Sequence, residues 1–254
     1  MKNLIPHFIQ NQHLKEHTHG HLTAYTLFVD LSGFTPLTEA LMKQGNRGAE
    51  QLSNILNEIF EPLVHLVYAK GGYIPYFAGD AFTAIFPSDQ EDIDARHIIV
   101  TAMQAREMFS QRQFRFGDFT IGVKFGLSYG EVEWGIVGKK NKSFYFCGKP
   151  VDSCAACQVK AQDQDIVIDE AMSQQLTEES FYQKKIEEGF YKIWGLLPDK
   201  TGKLPAVNLP KLDAEVALTF LPQAVVDYNQ EGEFRTVISV FISFEGVRSY
   251  KALN

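Results

Sequence analysis

Phe28-Val29-Asp30-Leu31-Ser32-Gly33-Phe34-Thr35 and Ala78-Gly79-Asp80-Ala81 are the stretches that decide the fold. In each, an aspartate stands where a strand ends or turns. The run Ala24 to Val29 is apolar and β-favouring, which predicts a buried strand stopping at Asp30. Ser32, Gly33 and Thr35 follow at once, and their backbone and hydroxyls suit phosphate oxygens. Two carboxylates beside such a loop are what a hard divalent cation and a triphosphate require.

Outward from these stretches, helices and strands alternate. Pro36 suits the first turn of a helix. Leu52, Ile55, Leu56, Ile59 and Leu63 follow helical spacing after Gly48, with Pro62 as a kink candidate and Gly71-Gly72 as the stop. Tyr73 to Phe86 predicts two strands joined at Ala78-Gly79-Asp80. Ile98 to Phe109 predicts a helix. Ile121, Val123, Phe125, Leu127 and Tyr129 alternate with Gly122, Lys124, Gly126 and Ser128, as a strand with two unlike faces does. Val132, Trp134 and Ile136 repeat that pattern, which predicts a second hairpin at Gly130. A helix over Val151–Gln162 and a strand over Ile166–Ile168 complete an α/β, or α+β, sandwich.

The chain has 254 residues, a net charge of -7 and 45% apolar residues. That supports a sizeable core and argues against a general nucleic-acid binder. No apolar run approaches the roughly 20 residues of a membrane span. The polar, His-rich start (1–21), with His13, His17, His19 and His21, predicts a solvated arm rather than a signal peptide. Three cysteines predict a reducing, cytoplasmic setting. Cys154 and Cys157 have C-x-x-C spacing but small, apolar neighbours, so two packed thiols are expected rather than a zinc or redox pair.

Taken together, Phe28 to Thr35, the Gly71-Gly72 and Ala78-Gly79-Asp80 hairpin, Gly126 to Val132, and Gly148-Lys149-Pro150-Val151-Asp152 resemble a class III nucleotidyl cyclase catalytic domain over residues 22–195. Arg47 to Leu52 and Phe77 to Ala81 make the first catalytic domain of the soluble, bicarbonate-regulated adenylyl cyclases the nearest likeness. The resemblance implies a ferredoxin-like βαββαβ core with added strands and helices. It implies conversion of ATP to cyclic AMP and pyrophosphate with two Mg²⁺ or Mn²⁺ ions. Asp30 and Asp80 match the metal-binding aspartates, and Leu31 the backbone ligand. Ser32, Gly33, Phe34 and Thr35 match the loop that binds the β- and γ-phosphates.

Other positions depart from the family. Tyr76 stands where an adenine-reading Lys is expected, and Tyr145 at the second purine-reading position. Asp152 replaces the transition-state Asn and Ala156 the transition-state Arg. Tyr76 and Ala155 fall where bicarbonate-binding Lys and Arg would be, which argues against control by that route. Gly195 to Leu212 is rich in Pro and Gly, and 196–232 is expected to be a linker. Gly232 to Val247 repeats the first strand, with Ser243 at the metal-aspartate position, so 233–254 is expected to open a second cyclase domain. That partner would supply purine recognition, Asn and Arg. ATP and GTP both remain open as substrate, and so does a homodimer of the chain. A non-catalytic dimerisation or regulatory module is the rival class. A diguanylate-cyclase-like enzyme lacks support, because Ala78 to Phe82 replaces its hairpin signature.

Overall fold

A computed structural model describes residues 5–90, 93–139, 141–176, 181–196 and 214–226. It is a mixed α+β fold around a sheet of eight strands. The first strand, β1 (His19–Ser32), lies antiparallel between β3 (Ala81–Pro87) and β6 (Gly122–Val137). β2 (Tyr73–Ala78) pairs with β3 at the sheet edge. The order β2-β3-β1-β6, antiparallel throughout, is that of a ferredoxin-like core. Edge position lets β2 hold Pro75, whose missing N–H would break a central ladder, and its register shifts between Tyr73 and Tyr76.

Beyond β6 the sheet continues through β8 (Ile166–Asp169), which runs parallel to it, then β10 (Phe190–Leu196) and β9 (Phe181–Glu187). β7 (Ser143–Cys147) pairs with the far half of β6. A short separate hairpin joins β4 (Arg115–Phe116) and β5 (Phe119–Thr120).

On one face of the sheet Leu27, Val29, Val123, Phe125 and Leu127 are buried with Ile59, Leu63, Ile98 and Ile99 in one core. Those last residues come from α3 (Asn46–Ala69) and α4 (Ala95–Arg112). Helix α3 runs on through Pro62 and stops at Lys70, before Gly71 with its φ of +80°. The opposite face carries small residues because α5 (Lys149–Lys160) lies directly on it. A Cβ at Gly126 would meet the Cys154 carbonyl oxygen at 2.0 Å. Thr26 Oγ1 donates to the Pro150 carbonyl at 2.8 Å. Cys154 and Cys157 are free and fully buried, as packed thiols. Burial pushes the Cys154 thiol up to about 12 and raises that of Cys157 as well.

Three expectations change. First, β6 does not turn at Gly130. It continues as one strand of 16 residues, with Gly130 at φ +152° and the turn delayed to Gly138 at φ +94°. Gly130 faces Pro150 at the start of α5, where a Cβ would lie 3.0 Å from the proline ring. Its glycine marks a close approach rather than a hairpin.

Second, the N-terminal stretch is not a solvated arm. It forms α1 (His7–Leu14), with Ile5 and Ile9 fully buried. Phe8 stacks on Tyr73 at 5.5 Å and meets Trp134 edge-on at 5.3 Å. Three apolar residues in a polar, His-rich run sufficed to seat it. His19 and His21 belong to β1.

Third, the expected linker contains α7 (Ala214–Phe220) and α8 (Gln223–Val226). Val216, Ala217 and Phe220 are buried, and Phe220 packs near Phe144 and His13. Residues 233–254, with the repeat and Ser243, lie outside the described residues. Among the described residues no helix is long and apolar enough to cross a membrane.

Candidate active site

Asp30 sits near the end of β1, and its strand neighbours are Ala81 on one side and Lys124 on the other. Ala81 directly follows Asp80, so the β2–β3 turn, with Gly79 at φ +67°, places the second carboxylate beside the first. The Leu31 N–H donates to the Asp80 carbonyl at 3.2 Å, which fixes the turn against β1. Burial, then the negative charge of Asp80, raise the Asp30 carboxyl above its ordinary value, and Lys124 offsets part of the rise.

The sign of that shift sets a pH dependence. The folded chain holds the Asp30 proton more tightly than the unfolded chain does. Stability is therefore greatest below the ordinary carboxylate value of 3.8 and falls as pH rises through the raised folded one. In chelator-treated protein, Asp30→Asn is expected to raise Tm at pH 7, with the gain gone below about pH 4. Calorimetric unfolding at both pH values checks this, and an unchanged Tm at pH 7 would contradict it.

Crowded carboxylates of this kind suit a cation. The donor set of Asp30, Asp80 and the Leu31 carbonyl is all oxygen, which fits Mg²⁺ or Mn²⁺. Among the described residues no group of three or more His, Cys, Asp or Glu side chains is placed to hold a metal. A two-carboxylate set matches Mg²⁺, which takes one or two carboxylates and completes its shell with water and substrate phosphates.

The loop after β1 is shaped for close approach. Gly33 caps α2 (Phe34–Met42) at φ +80°, and no side chain caps that helix end. A Cβ at Gly33 would lie 2.5 Å from the Thr120 carbonyl, so glycine is required on two grounds. Phe34 and Leu37 anchor the helix in the core. The Ser32 hydroxyl donates to Asp163 at 2.8 Å. What Ser32 to Thr35 then offer an anion is chiefly backbone N–H, with the Thr35 side chain exposed beside it.

The departing positions lie on β2, β7 and α5. Tyr76 lies on the β2 edge; burial raises its phenol, a hydrogen bond with Thr83 offsets this, and Asp152 and Cys147 act on it from nearby. Tyr145 donates to Glu133 at 2.8 Å and packs over Gly135. Asp152 and Ala156 are exposed on α5, and Ala155 is half-buried there. No cation stands at Tyr76, Ala155 or Ala156.

The site also holds residues that the sequence reading did not single out. Gln158 donates to Asp30 Oδ2 at 2.5 Å, and Asp163 and Lys124 belong to the same surface. Lys124 stood out only as a charge among small residues on one side of a strand. Gln158 and Asp163 carry no local signal.

A ferredoxin-like sheet with an aspartate at the end of its first strand, a second in the following hairpin and a glycine loop between strand and helix defines a class III nucleotidyl cyclase catalytic domain. The chain belongs to that family: the model of the adenylate and guanylate cyclase catalytic domain matches residues 16–202. Adenylate cyclase type 10 of Homo sapiens is 33% identical over 147 residues, and that of Rattus norvegicus 31%. The match takes in 56% of this chain and 9% of each relative, so the chain spans only a small part of their length.

Solved structures share the fold. The adenylyl cyclase CyaB from P. aeruginosa has a TM-score of 0.59 at 18% identity, over 72% of this chain and 99% of that one. The guanylate cyclase domain of RhGC from Catenaria anguillulae, solved with GTP, has a TM-score of 0.57 at 18% identity, over 70% and 100%. Domains of this family generally depend on divalent metal ions.

Proposed function

We propose that this chain is the metal and phosphate half of an adenylyl cyclase, converting ATP to cyclic AMP and pyrophosphate together with a complementary cyclase domain. One observation carries the reading. Asp30 and Asp80 are brought together beside the Gly33 loop, and the family resemblance assigns Tyr76, Tyr145, Asp152 and Ala156 to the purine and transition-state positions, where they depart from the expected residues. Adenylyl rather than guanylyl activity is supported by the likeness to adenylate cyclase type 10.

In this mechanism Asp30, Asp80 and the Leu31 carbonyl hold divalent cations. Such ions, when bound, lower the charge on the triphosphate and ease loss of a proton from the attacking ribose 3′-hydroxyl. The chain's own groups orient and select. Backbone N–H groups of Ser32 to Thr35 bind the β- and γ-phosphates, helped by the positive end of α2. Lys124, opposite Asp30, keeps the pocket from carrying two uncompensated carboxylates. The complementary domain supplies the purine contacts and the Asn and Arg that stabilise charge at the α-phosphorus. Bicarbonate has no cation to meet at Tyr76 or Ala155, so control by that ion through those positions is not part of the reading.

Nucleotide should therefore bind this chain weakly and mainly through its phosphates. Calorimetry with Mn²⁺ should give similar affinities for ATP and GTP. Tight, adenine-selective binding would contradict the half-site assignment.

A further inference from the structure

Helix α5 bears Asp152 and Ala156 where the family's transition-state groups would be, yet it lies against the metal half of its own chain. The face of β1 and β6 that carries Asp30, Ser32 and Lys124 is the face with Gly122 and Gly126. Both glycines are there to admit this helix and the turn that follows it. A Cβ at Gly126 would meet the Cys154 carbonyl oxygen at 2.0 Å and the Gln158 nitrogen at 2.5 Å. A Cβ at Gly122 would lie 1.7 Å from Asp163 Oδ1 and 2.5 Å from Ser32 Oγ.

Through these openings two polar side chains reach the site. The Gln158 amide donates to Asp30 Oδ2 at 2.5 Å. Asp163 Oδ1 accepts from Ser32 Oγ at 2.8 Å and from the Val123 N–H at 3.0 Å. The first contact fixes the carboxylate plane of Asp30 and leaves Oδ1 for a cation. The second ties the first residue of the phosphate loop to β6, so that its N–H groups keep one direction.

We propose that Gln158 and Asp163 are positioning residues in cis, Gln158 for metal binding by Asp30 and Asp163 for phosphate binding by the Ser32–Thr35 loop. This rests on reading Asp30 and that loop as the metal and phosphate half. Partners that orient a metal-ligating carboxylate commonly set its affinity by tenfold or more.

The test is Mn²⁺ binding by the intact chain, followed through the paramagnetic resonance of free Mn²⁺, with Mn·ATP affinity in parallel. Gln158→Leu should weaken Mn²⁺ binding about tenfold or more. Asp163→Ala should leave Mn²⁺ affinity near wild type and weaken Mn·ATP binding by about tenfold. Asp163→Asn keeps an acceptor oxygen and should restore most of that loss. Ser32→Ala and Asp163→Ala together should lose little more than either alone, because they break one contact. Thermal unfolding checks that each variant folds, and Gln158→Ala replaces Gln158→Leu if the latter does not.

Asp30→Ala separates the two levels. Wild-type Mn²⁺ affinity in Asp30→Ala would overturn the metal reading itself. Lost affinity in Asp30→Ala with wild-type affinity in the Gln158 variant would overturn the role of Gln158 alone. Unchanged Mn·ATP binding in Asp163→Ala, or equal loss in Asp163→Asn, would overturn that of Asp163.

Discussion

Asp30→Ala or Asp80→Ala in the active, complemented enzyme is expected to lower kcat by about a thousandfold or more. On the proposed reading the two carboxylates share one task at one cation position, and the charge of Asp80 helps raise the Asp30 carboxyl beside it. Removing one leaves a single carboxylate to hold and aim the ion, so the cation binds more weakly and is misplaced against the phosphates. The charge stabilisation such an ion gives a phosphoryl transition state is several kcal/mol, and about 4 kcal/mol is about a thousandfold in rate. The loss should not come from unfolding. Asp30 is only partly buried, its carboxyl is raised rather than lowered, and its ionised form destabilises the fold at neutral pH. Steady-state rates with Mg²⁺ and with Mn²⁺, beside a melting curve, check this. A variant with normal rates would remove that residue from the metal role.

Gly126→Ala is expected to have the largest effect on stability of any single methyl group added to the sheet face under α5. Its Cβ would meet two backbone atoms, the Cys154 carbonyl oxygen at 2.0 Å and the Gln158 nitrogen at 2.5 Å. Neither can rotate away as a flexible side chain would. Helix α5 must therefore lift from β6, giving up contacts around the buried Cys154 and Cys157 and the Thr26 bond to Pro150. Overpacking of this kind costs about 3 kcal/mol, from a total of roughly 5–15 kcal/mol. The expected fall in Tm is roughly 6–12 °C. Because Gln158 rides on the displaced segment, Mn²⁺ affinity should fall with it. An unchanged Tm would mean that α5 is not seated on Gly126.

These two residues show which parts of the molecule the sequence discloses. Asp30 was legible because a β-favouring run stops on it and a Ser-Gly-Phe-Thr loop follows. Asp80 was legible because a Gly-Asp turn joins two apolar strands. Local pattern suffices where the informative neighbours are within a few residues. Gly130 misled for the same reason: a glycine between two alternating runs looks like a turn, and only the approach of Pro150 shows that it is a close contact. The N-terminal helix was hidden because Ile5, Phe8 and Ile9 are few among many polar residues, and their value depends on Tyr73, Trp134 and Phe146 far along the chain. Gln158 and Asp163 were beyond reach altogether. Their contacts to Asp30 and Ser32 span 128 and 131 residues, and they depend on how α5 is seated on the sheet. The helices in 214–226 were masked by the Pro- and Gly-rich stretch before them.

The reading of half a site makes one demand above the rest. On that reading Tyr76, Asp152 and Ala156 stand at the purine and transition-state positions, and two copies of this chain would not complete an active centre between them. The decisive measurement is cyclic AMP formation from ATP by the purified 254-residue chain alone, with Mg²⁺ and then with Mn²⁺, before and after addition of a cyclase domain bearing the missing Lys, Asn and Arg. The account predicts negligible turnover by the chain alone and activity that appears only with the complementary domain and vanishes with Asp30→Ala. Robust turnover by the chain alone would contradict it.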